Sequence, residues 1–227
     1  MRGRRGALRL SDERSRLSVA VLVSGSGSNL QALIDAAADS RLAASVDVVL
    51  SNNPGAYGLL RAQDAGIPTI VLDHRDFATR GAYDAALADA LREYSPDLVA
   101  LAGFMRILGP QFVDAFSGRI LNIHPSLLPR YPGLNTHQRA LDAGDPVHGC
   151  TVHYVTATLD GGPAIMQGQV EVLDGDTAKQ LAQRVLAVEH RIYAAAIALI
   201  AAGRLRYRDN KAWLDDEMLE TPLRYPD

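Results

Sequence analysis

Five short apolar runs, separated by segments with helical spacing, are the feature that most limits how this chain folds. The runs lack the alternation of a half-exposed strand, so each is predicted to be a strand buried on both faces. Buried strands that alternate with helices form a parallel sheet. The runs start about 22–29 residues apart. They are residues 18–24, 46–50, 69–72, 98–101 and 120–123, and the helical segments are 30–38, 58–65, 83–94 and 110–116.

The pattern changes in the C-terminal half of the chain. Residues 150–155 and 165–172 alternate apolar and polar side chains around a glycine-rich connection, which predicts an antiparallel strand pair. A long amphipathic helix follows, with Thr177 and Gln180 in a capping box and Gly203 at its end. The predicted fold is therefore α/β, with an open, Rossmann-like, mostly parallel sheet, helices on both faces, an antiparallel strand pair and a long C-terminal helix.

Composition limits the number of domains and argues against several classes of partner. The chain has 227 residues and a net charge of −3, which fits one globular domain and provides no basic field for nucleic acid. With one cysteine and no apolar run near the ~20 residues of a membrane span, we expect a cytoplasmic protein. Six arginines and two acidic residues give the first sixteen residues a net charge of +4. We expect a disordered extension at 1–16, one domain at 17–215 and a tail at 216–227.

Two polar side chains stand two residues apart in the fifth apolar run. Asn122 and His124 are predicted to point to the same face of a strand, which stops at Pro125. Three prolines within eight residues make the following loop stiff. A lone histidine at a strand end is commonly a structural, hydrogen-bonded residue. An imidazole beside an amide also suits acyl transfer, because histidine moves protons near neutral pH and asparagine donates to an oxyanion.

A glycine- and serine-rich turn joins the first strand to the first helix. Residues 24–29 are Ser-Gly-Ser-Gly-Ser-Asn, and the two glycines allow a ligand to approach the backbone. A helix N-terminus after such a turn binds phosphate, although the same pattern also forms ordinary tight turns. It lacks the third glycine of a dinucleotide fingerprint and the lysine of a P-loop. Because ligands bind at the C-terminal ends of parallel strands, we expect this turn and the Asn122–His124 pair on the same side of the sheet.

Three further features have two interpretations each. Asp160, in Leu-Asp-Gly-Gly-Pro, is either a turn aspartate or a carboxylate that orients His124 and favours its charged form. Residues 103–108, after the fourth strand, either form a pocket wall for an aromatic ligand or pack onto the next helix. Glu189, on the long helix, is either a solvated residue or an acceptor for a hydroxyl group.

Missing motifs disfavour two kinds of catalysis. The histidines do not have zinc spacing such as His-Glu-x-x-His, so we expect no metal. The chain has no Gly-x-Ser-x-Gly nucleophile elbow, and Cys150 precedes an apparent strand. Direct attack by the nucleophile of the substrate is therefore the favoured route for acyl transfer.

Taken in order, these motifs resemble those of the folate-dependent phosphoribosylglycinamide formyltransferases. The resemblance runs from about Leu17 to Trp213. The Asn-x-His-Pro-Ser-Leu-Leu-Pro motif is typical of the whole formyltransferase superfamily, and the glycine–serine turn and single-domain length point to the glycinamide branch. The resemblance implies formyl transfer from 10-formyltetrahydrofolate to the amine of glycinamide ribonucleotide, by direct attack through a tetrahedral intermediate, in purine (IMP) biosynthesis. The segments that carry it are residues 24–29, 101–108, 121–133 and 159–163.

The resemblance also implies roles for individual residues. The implied catalytic residues are Asn122, His124 and Asp160. The implied substrate-binding residues are Gly27, Ser28 and Asn29 at the phosphate and Glu189 at the ribose. The donor, 10-formyltetrahydrofolate, is a cosubstrate. Its implied binding residues are Arg80, Met105, Arg106, Ile107, Leu108, Asn122, Thr156, Ala157, Thr158 and Leu159.

Two positions depart from the family pattern, and both lie outside the catalytic trio. Ser26 stands where asparagine is common, and Asn135 stands where some members have histidine. The alternatives are a related formyltransferase or formyltetrahydrofolate hydrolase, and a non-catalytic nucleotide-binding protein of the same fold. The expected partners are the two small molecules, without nucleic acid or membrane. A homodimer is left open, because the sequence does not give the oligomeric state.

Overall fold

The computed structural model describes residues 16–225 of the chain. Among the helices of this part of the chain, none is long and apolar enough to cross a membrane. A short 3-10 turn covers His74–Asp76. The other elements, in chain order, are β1 (Leu17–Val23), α1 (Ser28–Ala38), β2 (Ala44–Ser51), α2 (Tyr57–Asp64), β3 (Thr69–Val71), α3 (Arg80–Tyr94), β4 (Leu98–Leu101), α4 (Pro110–Ala115), β5 (Ile120–His124), α5 (Thr136–Asp142), β6 (Val147–Tyr154), β7 (Ala164–Glu171), α6 (Ala178–Ala201), β8 (Leu205–Arg208), β9 (Lys211–Leu214), β10 (Glu217–Met218) and β11 (Leu223–Arg224).

The central sheet has eight strands in the order β11-β7-β6-β5-β4-β1-β2-β3. Strands β1 to β5 pair in parallel, and β11 is parallel to β7. Strand β6 is antiparallel to both of its neighbours, β5 and β7. This confirms the predicted mostly parallel sheet with an antiparallel pair. The direction of strand addition reverses between β1 and β4, which opens a crevice at the C-terminal ends of these strands.

Helices cover both faces of the sheet. Along β1, Val19, Val21 and Val23 belong to the core under α1 and α6, whereas Ala20 and Leu22 belong to the core under α3 and α4. All five side chains are at most 1% exposed. Burying one such valine or leucine side chain contributes about 1.5–3 kcal/mol. Burial on both faces explains why the apolar runs in the sequence show no alternation.

Helix α6 is the predicted long C-terminal helix. Both hydrogen bonds of the capping box between Thr177 and Gln180 are present at its start. It ends shortly before Gly203, whose φ of 69° lies in the left-handed region. The Tyr193 hydroxyl lies 3.1 and 3.2 Å from the carbonyl oxygens of Leu101 and Leu121, so the helix is fixed directly onto β4 and β5.

The C-terminal half contains elements that the sequence pattern did not reveal. Residues 133–149 contain α5, whose seven residues are too few for a clear helical period. The sequence does predict a small edge hairpin at residues 205–213, around an Asp209-Asn210 turn, and β8 and β9 pair as this hairpin in a separate sheet with β10. Strand β11, which the sequence did not predict, returns to the edge of the central sheet beside β7. Except for Arg16, the basic extension lies outside the described residues. The division of the chain into 1–16, 17–215 and 216–227 stays a prediction.

Candidate active site

A cavity of about 540 Å³ opens at the C-terminal ends of β4 and β5. Asn122, His124 and Asp160 are all part of its wall. So are residues 103–108, which follow β4, and residues 155–159, which follow β6. The structure therefore brings together the three residues of the implied catalytic trio and both segments implied to contact the folate donor.

His124 is the last residue of β5 and is 5% exposed. Its Nε2 atom lies 2.9 Å from the carbonyl oxygen of Tyr131, and its Nδ1 atom lies 3.5 Å from Oδ2 of Asp160. Tyr131 belongs to the proline-rich loop, so this loop supplies the partner of one ring nitrogen. An imidazolium donates from both nitrogens, and both neighbours are acceptors. The surroundings of His124 therefore match the hydrogen-bonding pattern of an imidazolium.

The turn at Asp160 aims its carboxylate into the cavity. The φ of Asp160 is 49°, in the left-handed region. Its Oδ2 atom accepts a hydrogen bond from the backbone N–H of Gly133 at 2.8 Å. A Cβ atom on Gly162 would lie 1.9 Å from the carbonyl oxygen of Tyr154, so glycine is required there for the turn to pack against β6. The Gly-Gly sequence thus allows Asp160 to reach His124.

His153 contacts the Asn122 amide from the neighbouring strand. The β5–β6 register places the two residues opposite each other, with Asn122 Nδ2 3.2 Å from His153 Nε2. His153 Nδ1 lies 2.8 Å from the Tyr154 carbonyl oxygen, which assigns the proton to Nδ1. Burial lowers the pKa of His153 and so favours its neutral ring. The contact between His153 and Asn122 has no signal in the sequence. Within residues 16–225, no three His, Cys, Asp or Glu side chains are grouped to hold a metal ion.

The glycine–serine turn lies at the end of β1, beside the cavity and outside its wall. Gly27 has a φ of 68°, and a Cβ atom there would lie 2.5 Å from Cα of Gly58, so the turn packs directly on α2. The Gly58 N–H donates to the Gly25 carbonyl at 3.0 Å, and Arg61 Nε donates to the Ser26 carbonyl at 2.9 Å. Both carbonyl groups are thereby held toward α2. The first N–H groups of α1, which a helix leaves without intrahelical partners, are suited to an anion.

Asn29 and Glu189 form a buried pair behind this turn. Asn29 Nδ2 donates to Glu189 Oε2 at 2.7 Å, and each residue is 7% exposed. Asn29 lies in the first turn of α1, whose cap position is Gly27, and its side chain contacts Glu189. Burial raises the pKa of Glu189, and the hydrogen bond from Asn29 offsets part of this effect. A buried acceptor beside this turn suits a ligand that carries a phosphate and hydroxyl groups together.

The residues implied to bind the donor are placed in two groups. All except Arg80 line the cavity. The Met105 N–H donates to Ser24 Oγ at 2.8 Å, which connects this wall to the glycine–serine turn. Met105 and Leu159 expose apolar surface at the cavity. Arg80 is the first residue of α3, and its Nε atom lies 3.8 Å from Oδ2 of Asp84.

Comparison with known proteins supports one family throughout. The family model described as formyl transferase matches residues 17–197. The chain is 51% identical over 203 residues to the phosphoribosylglycinamide formyltransferase of Escherichia coli strain K12, which covers 89% of this chain and 96% of that protein. It is 46% identical over 209 residues to the trifunctional purine biosynthetic protein adenosine-3 of Homo sapiens, which covers 91% of this chain but only 21% of that protein.

A solved structure leads to the same family. The phosphoribosylglycinamide formyltransferase from Coxiella burnetii, solved in complex with CHES, superposes with a TM-score of 0.88 at 48% identity. The match covers 92% of this chain and 99% of that one, so the two folds agree over nearly their whole length. This chain therefore belongs to the formyl transferase family, among its phosphoribosylglycinamide formyltransferases.

Proposed function

We propose that this protein transfers a formyl group from 10-formyltetrahydrofolate to the amine of glycinamide ribonucleotide, as a step of purine biosynthesis. The observation that carries the proposal is the grouping of Asn122, His124 and Asp160 in one cavity, with His124 Nδ1 3.5 Å from Asp160 Oδ2. The proteins from Escherichia coli and Coxiella burnetii that match this chain over their whole lengths carry the name of this activity.

The donor is proposed to occupy the cavity beside His124. Its volume of about 540 Å³ is typical of small-molecule sites. The segments 105–108 and 156–159 provide apolar side chains for the flat pterin ring and the aminobenzoyl group. Glycinamide ribonucleotide is proposed to place its phosphate at the N–H groups of residues 27–29 and a ribose hydroxyl at Glu189.

In the proposed reaction the unprotonated amine attacks the formyl carbon. A carbon–nitrogen bond forms, and the carbonyl oxygen becomes an oxyanion. His124 donates to this oxygen from Nε2, in place of the Tyr131 carbonyl, while Nδ1 stays beside Asp160. The Asn122 amide donates to the same oxygen, and fixed donors of this kind stabilise the charge without reorganisation. The intermediate then breaks the bond between the carbon and N10 of the folate, and the amine proton moves through water to N10.

The two small molecules are the partners that we propose, and the cytoplasm is the proposed location. A single cysteine, buried as a free thiol at position 150, supports a reducing compartment. A net charge of −3 supports the expectation that nucleic acid is not a partner. A homodimer stays an open prediction, and light scattering of the purified protein tests it.

The proposed function is tested by incubating the purified protein with 10-formyltetrahydrofolate, with and without glycinamide ribonucleotide. We expect loss of the formyl donor only when both substrates are present, together with one formylated amine for each donor consumed. Ribose 5-phosphate, which has the phosphate and no glycinamide amine, is the matched control and should give no turnover. Donor turnover without the amine would instead indicate a hydrolase, and no turnover under any condition would indicate a binding protein.

A further inference from the structure

Asp84 is a buried carboxylate that the proposed mechanism does not use. It lies in the N-terminal half of α3 and is 6% exposed. A carboxylate in such a place is stabilised only when hydrogen bonds or cations compensate for its lost hydration. Two groups next to the donor cavity provide this compensation, and both contact the same oxygen of Asp84.

The first group is the backbone at the end of the cavity wall. The Gly109 N–H donates to Asp84 Oδ2 at 2.8 Å, directly after the segment 105–108. A Cβ atom on Gly109 would lie 2.6 Å from the same oxygen, so the carboxylate packs against the glycine itself. At the other end of the segment, the Met105 N–H donates to Ser24 Oγ at 2.8 Å. The wall is therefore fixed at both ends by side-chain oxygens.

The second group is the guanidinium of Arg80. Its Nε atom lies 3.8 Å from Asp84 Oδ2, and the two residues are one helical turn apart on α3. The Arg80 side chain is 47% exposed, whereas that of Asp84 is 7% exposed. The buried Asp84 carboxylate therefore lies near the Nε atom of a partly exposed guanidinium, outside the cavity wall.

We propose that Asp84 is a positioning residue for the formyl donor, because one buried oxygen fixes both the Gly109 end of segment 105–108 and the Arg80 guanidinium. This inference rests on the proposed function, in which segment 105–108 receives the pterin. It further takes the partly exposed Arg80 guanidinium, which the family resemblance implies in donor binding, as the partner of a carboxylate of the donor's glutamate. The two contacts set the spacing between the two ends of the donor site before the donor arrives. Preorganisation of this kind increases affinity because less freedom is lost on binding.

Two substitutions separate the two contacts. Asp84→Asn keeps an oxygen acceptor for the Gly109 N–H but loses the charge beside Arg80, and Asp84→Ala loses both. The two donors to compare are 10-formyltetrahydrofolate and 10-formyltetrahydropteroate, which lacks the glutamate. For Asp84→Asn we expect the KM for the folate to rise about fivefold, as for loss of a partly exposed ion pair, with the KM for the pteroate and for glycinamide ribonucleotide almost unchanged.

For Asp84→Ala we expect the KM for both donors to rise about tenfold or more, because the wall itself is displaced. The kcat at saturation should be maintained in both variants. The matched control is Asp89→Asn, which removes an exposed acid that pairs with Arg92 at 2.5 Å on the same helix, and it should change neither KM. Melting temperatures of all variants show whether each one is folded under the assay conditions.

The proposal is overturned if Asp84→Asn binds both donors as the unchanged protein does, or if it weakens both donors and the amine substrate to the same extent. Failure of the proposed function looks different, because the unchanged protein would then transfer no formyl group. In that case the same two donors are titrated by fluorescence quenching. Equal affinity of Asp84→Asn and the unchanged protein for the folate would also overturn the proposal.

Discussion

At the scale of single residues, two histidines in the same cavity have opposite hydrogen-bonding environments. His124 faces an acceptor from each ring nitrogen, the Tyr131 carbonyl and the Asp160 carboxylate. His153 has the Tyr154 carbonyl as acceptor at Nδ1, and at Nε2 the Asn122 amide, at 3.2 Å, lies nearer than Asp160 Oδ1, at 3.8 Å. The first set of partners suits an imidazolium and the second suits a neutral ring. The neighbours of each ring, and not the residue type, therefore distinguish their proposed roles.

Replacing His124 by alanine is expected to lower kcat by ~100-fold or more, because the donor to the oxyanion is lost. The KM for glycinamide ribonucleotide should change little, since its proposed phosphate turn lies outside the cavity wall. Steady-state kinetics with both substrates measure this. An alanine variant that retained almost full transfer activity would contradict the proposed mechanism.

Replacing His153 by leucine is expected to lower kcat by about tenfold, the upper end of what one hydrogen bond contributes. The substitution removes the acceptor that holds the Asn122 amide at 3.2 Å. Because His153→Gln offers a side-chain oxygen in nearly the same place, it should recover part of the rate. Identical kcat values for the leucine and glutamine variants would argue against an orienting role.

At the scale of secondary structure elements, the strands carry the site but the connections between them set its geometry. The turn after β1 is held by two donors from α2, and the turn before β7 depends on Gly162, which packs against β6. The sequence predicted these strands well because burial on both faces leaves a continuous apolar run. It predicted the short connecting elements poorly, since seven residues in α5 and two in β11 carry too little periodicity.

Two glycine substitutions should have opposite effects. Gly162→Ala is expected to lower the free energy of unfolding by about 1–3 kcal/mol and to reduce kcat, because its Cβ atom would lie 1.9 Å from the Tyr154 carbonyl and the Asp160 turn would shift. At Gly81 on α3, no described atom lies within 4 Å of an added Cβ atom. Gly81→Ala should therefore stabilise the protein by about 0.5–1 kcal/mol. Urea unfolding checks both, and equal effects would contradict the packing of the turn.

Arg61→Gln is expected to raise the KM for glycinamide ribonucleotide about fivefold and to leave the KM for the donor unchanged. The arginine contacts the Ser26 carbonyl at 2.9 Å and Gln31 at 3.1 Å, so its loss loosens the turn that is proposed to bind phosphate. Steady-state kinetics, with each substrate varied in turn, measure both KM values. The matched control is Arg92→Gln on the exposed side of α3, and an equal loss of affinity there would refute a specific effect.

At the scale of the whole molecule, buried and half-buried histidines make the stability of the fold depend on pH. Burial lowers the pKa of His137, His148, His153 and His190, and that of His148 falls to about 4. These rings fold in their neutral form. The histidines of the unfolded chain have pKa values of ~6.5. Between about pH 4 and pH 6.5 the unfolded chain therefore binds more protons than the folded one. For His148 this stabilisation is complete above the unfolded pKa and is lost as the pH falls to about 4.

The pH dependence of stability follows from this difference in proton binding. We expect the free energy of unfolding to decrease between about pH 6.5 and pH 4, with His148 contributing at most ~3 kcal/mol. Urea unfolding at several pH values across this range measures the slope. His148→Gln, which cannot take up a proton, should flatten it, and an unchanged slope in this variant would show that His148 is not responsible.

The sequence by itself determined the strands of the parallel sheet, the long helix with its capping box, and the motifs that resemble the formyl transferase family. These features depend on local periodicity and on residues close together in the chain. The motifs also pointed to Asn122, His124 and Asp160 together, and the fold places them in one cavity. The roles of these residues stay predictions.

Only the tertiary structure decided which distant groups meet. The register of β5 and β6 places His153 against Asn122, and the packing of α3 places Asp84 against Gly109. It also placed Arg80 outside the cavity wall and turned the Asn29 side chain to Glu189. None of these contacts has a signal in a single sequence. They arise from the way whole elements pack, because register and packing depend on the shape of surfaces far apart in the chain.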